Sequence, residues 1–370
     1  MTDQSPPRPA RDRNEIRARC TRFLTRQRAL SPKEMLQALA DHVGADERTD
    51  MYGKGALVED FEREVASLLG KPAAVFMPSG TMVQTIALRI WCERSGISTV
   101  GLHPLSHLER NESQAYRSMH GLAASYLGDD SRQFTRKDIE AVTEKLGAIV
   151  LEMPLRPLGC VLLPFEELQA ISTLARERSI PLHLDGARIW ESQPYYGKGH
   201  AEIADLFDSV YVSFYKGLGG ISGAALAGSK DFIEEAKLWQ HRHGGRLFQL
   251  YPYVLSARIG LAERLPMMAA HHREIRRIAD ALRGIPGVRV TPDPPQATSM
   301  LIALPAPHEK IEAALLDLAE KTGIWLFDRV FASAIQGISM AELTAGTGAA
   351  EFSNEDIRTL FERVLGQATR

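Results

Sequence analysis

Between residues 73 and 212, short apolar runs alternate with helical stretches. The runs cover residues 73–77, 99–102, 123–127, 148–153, 181–184 and 209–212, and polar residues or glycine close them. Alternation over this length predicts an α/β domain built on a mostly parallel sheet. Such a sheet binds ligands where the carboxyl ends of its strands open into loops. The chemistry-bearing residues of this chain follow predicted strand ends: Ser79-Gly80-Thr81 after the first, Asp185-Gly186-Ala187-Arg188 after the fifth, and Ser213-Phe214-Tyr215-Lys216-Gly217 after the sixth.

A chain of 370 residues exceeds one small core, and the texture divides it into three parts. Residues 1–30, rich in Pro, Arg and Gln, read as a disordered start running into an arm helix. Residues 31–252 form the large domain. Residues 253–370 change to a helix-rich stretch followed by β-β-α-β and a last helix, a small α+β domain. Within the large domain Ser31-Pro32-Lys33-Glu34 is a helix start, with Ser as cap and Pro at the first helical position. Apolar positions Leu57, Phe61, Val65 and Leu68 mark a helix face.

The net charge of -2 gives no reason to expect a nucleic-acid partner or an anionic membrane. No run approaches the roughly 18 apolar residues of a membrane span. The N-terminus lacks the apolar core of a secretory signal. Three cysteines, Cys20, Cys92 and Cys160, have no CxxC spacing, so neither a disulfide framework nor a structural zinc site is expected. The histidines at 241, 243, 271 and 272 lack acid partners at ligand spacing, and no metal is expected. The expected location is the cytoplasm.

Lys216 precedes Gly217-Leu218-Gly219-Gly220-Ile221-Ser222-Gly223, a run too glycine-rich for a regular helix or strand. An amine held in tight turns is suited to a carbonyl partner. Asp185 sits at an apolar strand end, where an unpaired carboxylate costs several kcal/mol to bury. A protonated pyridine nitrogen would satisfy it. An amine for an aldehyde and a carboxylate for a ring nitrogen are the minimum needed to hold pyridoxal 5'-phosphate. Each residue also has a plain reading: Lys216 as a surface lysine, Asp185 as a helix cap.

Further candidates surround this pair. Ser79-Gly80-Thr81 has the makings of a phosphate cradle at a helix start, although it is also an ordinary strand-to-helix turn. Ser213 offers another hydroxyl for the phosphate. Arg188 presents a fork for a substrate carboxylate, and a salt bridge within the domain fits it equally. His107, flat and able to carry protons, suits stacking on the ring; a polar surface residue is the alternative.

These segments, in this order, resemble the threonine aldolase and β-eliminating lyase family of fold-type-I pyridoxal-phosphate enzymes. The likeness runs over roughly residues 45–260 and adds Tyr52-Gly53, Pro78 to Met82, Ser106-His107 with Glu112, and Arg242 to Gln249. It implies a three-layer large domain and lyase chemistry on a small amino acid, foremost cleavage of a threonine-like β-hydroxy-α-amino acid to glycine and an aldehyde. It implies Lys216 as the Schiff-base lysine, Asp185 on the pyridine nitrogen, His107 on the ring, Ser79-Gly80-Thr81 on phosphate and Arg188 on the substrate carboxylate. A homodimer or homotetramer with active sites at subunit interfaces is also implied, with Tyr52 and Arg242 or Arg246 acting on a neighbour's cofactor.

The chain departs from the family at four places. Where the family carries Glu-Asn-Thr-His-Asn, this chain has Glu152-Met153-Pro154-Leu155-Arg156. Tyr215 replaces the serine before the lysine, the arginine of the 244–249 segment has moved to Arg246, and residues 337–344 lack an Arg-x-Val-Thr-His motif. These departures leave β-elimination, transamination and racemisation open beside aldol cleavage, and the missing C-terminal motif also leaves open a cofactor-binding protein without turnover.

Overall fold

The computed structural model describes residues 12–370, so the expected disordered start lies largely outside the described residues. The chain divides into two compact units, one of Pro32–Ala269 and one of residues 12–31 with Ala270–Arg370.

The larger unit is built on seven strands: β1 (Ala73–Met77), β2 (Thr99–Leu102), β3 (Ala123–Tyr126), β4 (Ala148–Glu152), β5 (Leu182–Gly186), β6 (Ser209–Ser213) and β7 (Ala224–Gly228). Their order across the sheet is β1-β7-β6-β5-β4-β2-β3. Strands β2 to β6 are mutually parallel, and β7 runs antiparallel to both β6 and β1. Six strands match the alternation in the sequence within about two residues, the margin by which strand ends are read.

Strand β7 has no sequence counterpart. Its Ala-Ala-Leu-Ala-Gly run has weak strand propensity, yet all five residues are buried between β6 and β1. Small residues fit there because tertiary packing leaves no room for larger ones. The glycine-rich run before it makes the turn that reverses the chain. Gly223 has φ +104, and a side chain there would overlap the Phe76 ring.

Helices cover both sheet faces. The helix Gly80–Ser95 lies against one face, where Val83, Ile86, Ala87 and Ile90 pack with Val75, Met77 and Tyr211. The helices Ala56–Leu68 and Phe165–Glu177 contribute to the main core on the other, where Phe61, Phe76 and Phe214 form a close aromatic trio with ring centres 5.2–5.9 Å apart. Phe214 thereby anchors the segment that carries Lys216 two residues later.

The boundary differs from the expected one at residue 253. The helix Tyr251–Arg264 buries Val254, Leu255, Ala257 and Leu261 in the larger unit's core, so the change in texture is not the change of unit. The arm is also no independent element. Its helix Arg13–Arg19 precedes a short strand, Arg22–Phe23, that pairs in parallel with Ile324–Trp325. The last strand of the expected β-β-α-β order, Ile324–Trp325, thus pairs with the arm and not with the unit's main sheet.

The smaller unit's main sheet is antiparallel, in the order Arg329–Ala332, Ser339–Thr344, Ser299–Leu304, Arg289–Thr291. The first two of these strands are additions to the expected β-β-α-β pattern. The helices His308–Thr322 and Asn354–Ala368 close the unit's core. Among the described residues no helix is long and apolar enough to cross a membrane.

Candidate active site

Strand ends gather the sequence candidates. One cleft is lined by His107, Glu152, Asp185, Arg188 and Lys216, with Met153, Pro154 and Ala187 as its apolar wall. Parallel register explains the grouping: Glu152 lies opposite Asp185, which lies opposite Tyr211. Lys216 follows β6 by three residues.

Asp185 is only 2 % exposed, and its Oδ1 accepts a hydrogen bond from the Ala187 N–H at 3.2 Å. Burial pushes this carboxyl above its ordinary range, and Lys216 pulls it back. Burial lowers the Lys216 amine, while Asp185 supports its charge. Each member of the pair thus offsets part of the other's desolvation. Glu152 is pushed up by burial and by the Asp185 charge. Two buried carboxyls and a half-buried amine crowded together are costly for the fold alone and point to a functional site.

His107 is held from two sides. Its backbone N–H donates to Glu152 Oε2 at 2.7 Å, and its ring Nδ1 lies 2.9 Å from Glu112 Oε1. The carboxylate partner places the proton on Nδ1 and leaves Nε2 as the lone-pair end. Arg188 forms the salt bridge that was one reading of its sequence. Its Nε lies 3.6 Å from Glu191 Oε1, which is nearly inaccessible, and the side chain still borders the cleft beside Lys216.

The turn after β1 opens the 16-residue helix Gly80–Ser95 with Ser79 as its cap; the Ser79 hydroxyl accepts from the Met82 N–H at 3.3 Å. The first N–H groups of a helix have no partner within it and favour an anion. Gly80 is required here. A Cβ would overlap the Tyr211 hydroxyl and lie 3.0 Å from the Tyr215 hydroxyl. Thr81 stands in the first turn of the same helix.

One expected contact is not formed as expected. The Ser213 hydroxyl is fully buried and donates to the Ala187 carbonyl at 2.8 Å. Its proton joins β6 to the segment after β5 and is not available to a phosphate. Tyr52, expected to act on a neighbour's cofactor, is 50 % exposed and lies outside this chain's own cleft. Its N–H donates to the Phe248 carbonyl, and its own carbonyl accepts from Arg246 Nε at 3.3 Å. Arg242 stacks on Trp239 with its guanidinium 4.4 Å from the ring centre.

The structure also supplies partners that the sequence did not assign. Glu112 orients the His107 ring, Glu152 anchors the same residue's backbone, and the Tyr211 and Tyr215 hydroxyls reach the Ser79-Gly80 turn. For Glu152 the signal was its place as the last residue of an apolar strand run. The tyrosines gave none, because aromatic residues in and after a strand read as packing.

An amine, a buried carboxylate beside it, a flat imidazole and a helix N-terminus with N–H groups left over form a donor set that fits pyridoxal phosphate. The larger unit, with its helix-covered and mostly parallel sheet, has the fold-type-I form of pyridoxal-phosphate enzymes.

The β-eliminating lyase family matches residues 29–304, and the chain belongs to it. A solved structure assigned as an L-allo-threonine aldolase from Listeria monocytogenes EGD-E shares 36 % sequence identity, with a TM-score of 0.90. The match covers 96 % of this chain and 99 % of that one. A structure from Exiguobacterium, assigned as an aromatic amino acid β-eliminating lyase/threonine aldolase, has the same identity and TM-score over 95 % of this chain and 99 % of that one. The low-specificity L-threonine aldolase 1 of Arabidopsis thaliana is 28 % identical over 260 residues, 65 % of this chain and 70 % of that protein.

Proposed function

We propose that this protein is a pyridoxal-phosphate-dependent aldolase that cleaves a β-hydroxy-α-amino acid of the threonine type to glycine and an aldehyde. The observation that carries this reading is the convergence of Lys216, Asp185, Arg188 and His107 on one cleft. The threonine aldolases among its relatives support it.

When bound, the cofactor supplies an electron sink for the bond broken at the substrate's α-carbon. The chain's residues do the rest. Lys216 holds the cofactor through an amine whose charge is weakened by burial. Asp185 keeps the ring nitrogen protonated. Arg188, steadied by Glu191, holds the substrate carboxylate by its planar fork. His107 Nε2, with Nδ1 fixed by Glu112, takes the β-hydroxyl proton as the carbon–carbon bond breaks.

Loading the purified protein with pyridoxal phosphate and supplying threonine or allo-threonine tests the assignment. Glycine and acetaldehyde should form in equal amounts. Absence of turnover with every β-hydroxy amino acid offered would defeat it.

A second reading keeps the cofactor and changes the reaction to β-elimination. The Met153-Pro154 wall favours it, because apolar groups stand where the family carries polar ones. Pyruvate and ammonia from serine would support this alternative.

We also propose a cytoplasmic homo-oligomer. Its three cysteines are buried and none is joined in a disulfide, as suits a reducing compartment. The exposed Tyr52–Phe248 pair, with ring centres 5.4 Å apart, suits contact with a second copy. Sedimentation at equilibrium tests the assembly, and a monomer at micromolar concentration would refute it.

A further inference from the structure

We propose that Tyr215, with Tyr211 beside it, adds side-chain hydroxyl donors to the Ser79-Gly80-Thr81 turn for the phosphate group of the bound cofactor. The proposal rests on the reading that the chain binds pyridoxal phosphate, and it assigns to these tyrosines the role expected of Ser213.

The sheet places both rings. Tyr211 lies opposite Asp185 in the parallel register of β5 and β6, so the two side chains share a sheet face. It packs beneath the helix Gly80–Ser95 with Val83, Ile86 and Ala87. Tyr215 immediately precedes Lys216. Both phenols reach the glycine that opens the helix: a Cβ on Gly80 would overlap one hydroxyl and stand 3.0 Å from the other. They therefore meet the helix where its unspent N–H groups favour an anion.

Two nearby hydroxyls spend their protons elsewhere: Ser213 donates to the Ala187 carbonyl and Ser222 donates to the Pro78 carbonyl at 2.7 Å. Ser79 accepts from the Met82 N–H and keeps its own proton. The tyrosines have a different balance. Their oxygens lie 3.4 Å apart, beyond the usual range of an O–H···O bond. Only one of two protons can be used in that contact, and only weakly. Tyr211 is 2 % exposed, and a tyrosine hydroxyl buried to that degree normally has a firm partner. A phosphate oxygen at the Ser79-Gly80 turn would supply one.

Burial and the neighbouring acids raise both phenols above their ordinary range. They remain protonated donors at neutral pH. The substitution of tyrosine for serine before the lysine thus keeps a hydroxyl at the phosphate end while moving it to a longer side chain.

The test uses full-length protein carrying Tyr215→Phe or Tyr211→Phe. Dissociation constants for pyridoxal 5'-phosphate and for pyridoxal, which lacks the phosphate, are measured by the absorbance of the bound form. Tyr215→Phe should weaken pyridoxal 5'-phosphate about tenfold, the scale of one hydrogen bond to a charged group, and leave pyridoxal unchanged. Tyr211→Phe should act in the same sense. Inorganic phosphate should compete with pyridoxal 5'-phosphate less well in either variant than in the unaltered protein.

Equal weakening of both ligands would mean that the rings act by packing, and no weakening of either would leave them no role; each result overturns the proposal. Failure of the unaltered protein to bind either ligand would instead sink the cofactor reading, and this proposal with it.

Discussion

Of two hollows in the larger unit, the roomier is the less chemical. A groove of about 820 Å³ runs along the edge strand β1, with Glu59, Glu62, Arg63, Lys71, Glu234 and Lys237 among its lining. The cleft at Lys216 is far smaller. In the groove most charges stand at the rim in water, where they perturb one another little. In the cleft two buried carboxyls stand beside a half-buried amine.

The groove's one strongly perturbed acid, Glu62, has a structural task. It accepts the Phe76 N–H at 2.8 Å, while Gln240 donates to the Phe76 carbonyl at 2.9 Å. Side chains thus seal part of an edge strand that would otherwise invite pairing. Convergence of buried charge, rather than volume, distinguishes a reactive hollow from a packing seam.

The largest effect that would test this contrast is on turnover. Lys216→Ala should reduce glycine formation by about 1,000-fold or more, with far-ultraviolet circular dichroism unchanged. Glu62→Gln should leave kcat/KM as it is; a comparable loss there would break the comparison.

Arg188→Lys keeps the charge but loses the planar fork. It should raise KM for the amino acid about 10-fold to 100-fold while cofactor affinity is retained. Equal loss of cofactor would show that Arg188 acts through the Glu191 pair alone.

Glu112→Gln should lower kcat about tenfold by loosening the His107 ring, with KM little altered. An unchanged kcat would remove Glu112 from the chemistry.

The smallest effect belongs to the groove and is one of stability. Burial raises the Glu62 carboxyl from its ordinary value of 4.5 to about 7 in the fold. Between those values the folded state holds the proton more firmly than the unfolded chain. Stability is therefore greatest below about 4.5 and falls as pH rises through 7. Glu62→Gln should remove this dependence, with a gain of about 1–2 kcal/mol at pH 8 and none at pH 4. Urea unfolding at the two pH values measures it. A gain of the same size at both would assign the effect to packing.

Much of the site was legible before folding because its main residues sit at strand ends, and strand ends are local. Asp185, Lys216 and the Ser79-Gly80 turn each follow an apolar run whose period reveals it. The partners were less legible. Glu112 reaches His107 only because a short helix turns between them, and Ser213 loses its proton to a carbonyl 26 residues earlier. No period in the sequence records such pairings.

By itself, the sequence determined the α/β alternation, the strands that carry the cleft, and the amine and acid on which the cofactor reading rests. Hydrophobic period and turn chemistry act over a few residues, so these features survive reading in one dimension. Tertiary structure alone decided that an alanine-rich run becomes strand β7, that the arm joins the C-terminal unit, and that two tyrosine hydroxyls meet at Gly80. Each of these depends on which surfaces, distant along the chain, exclude water and leave a polar group to be satisfied by whatever neighbour the fold brings.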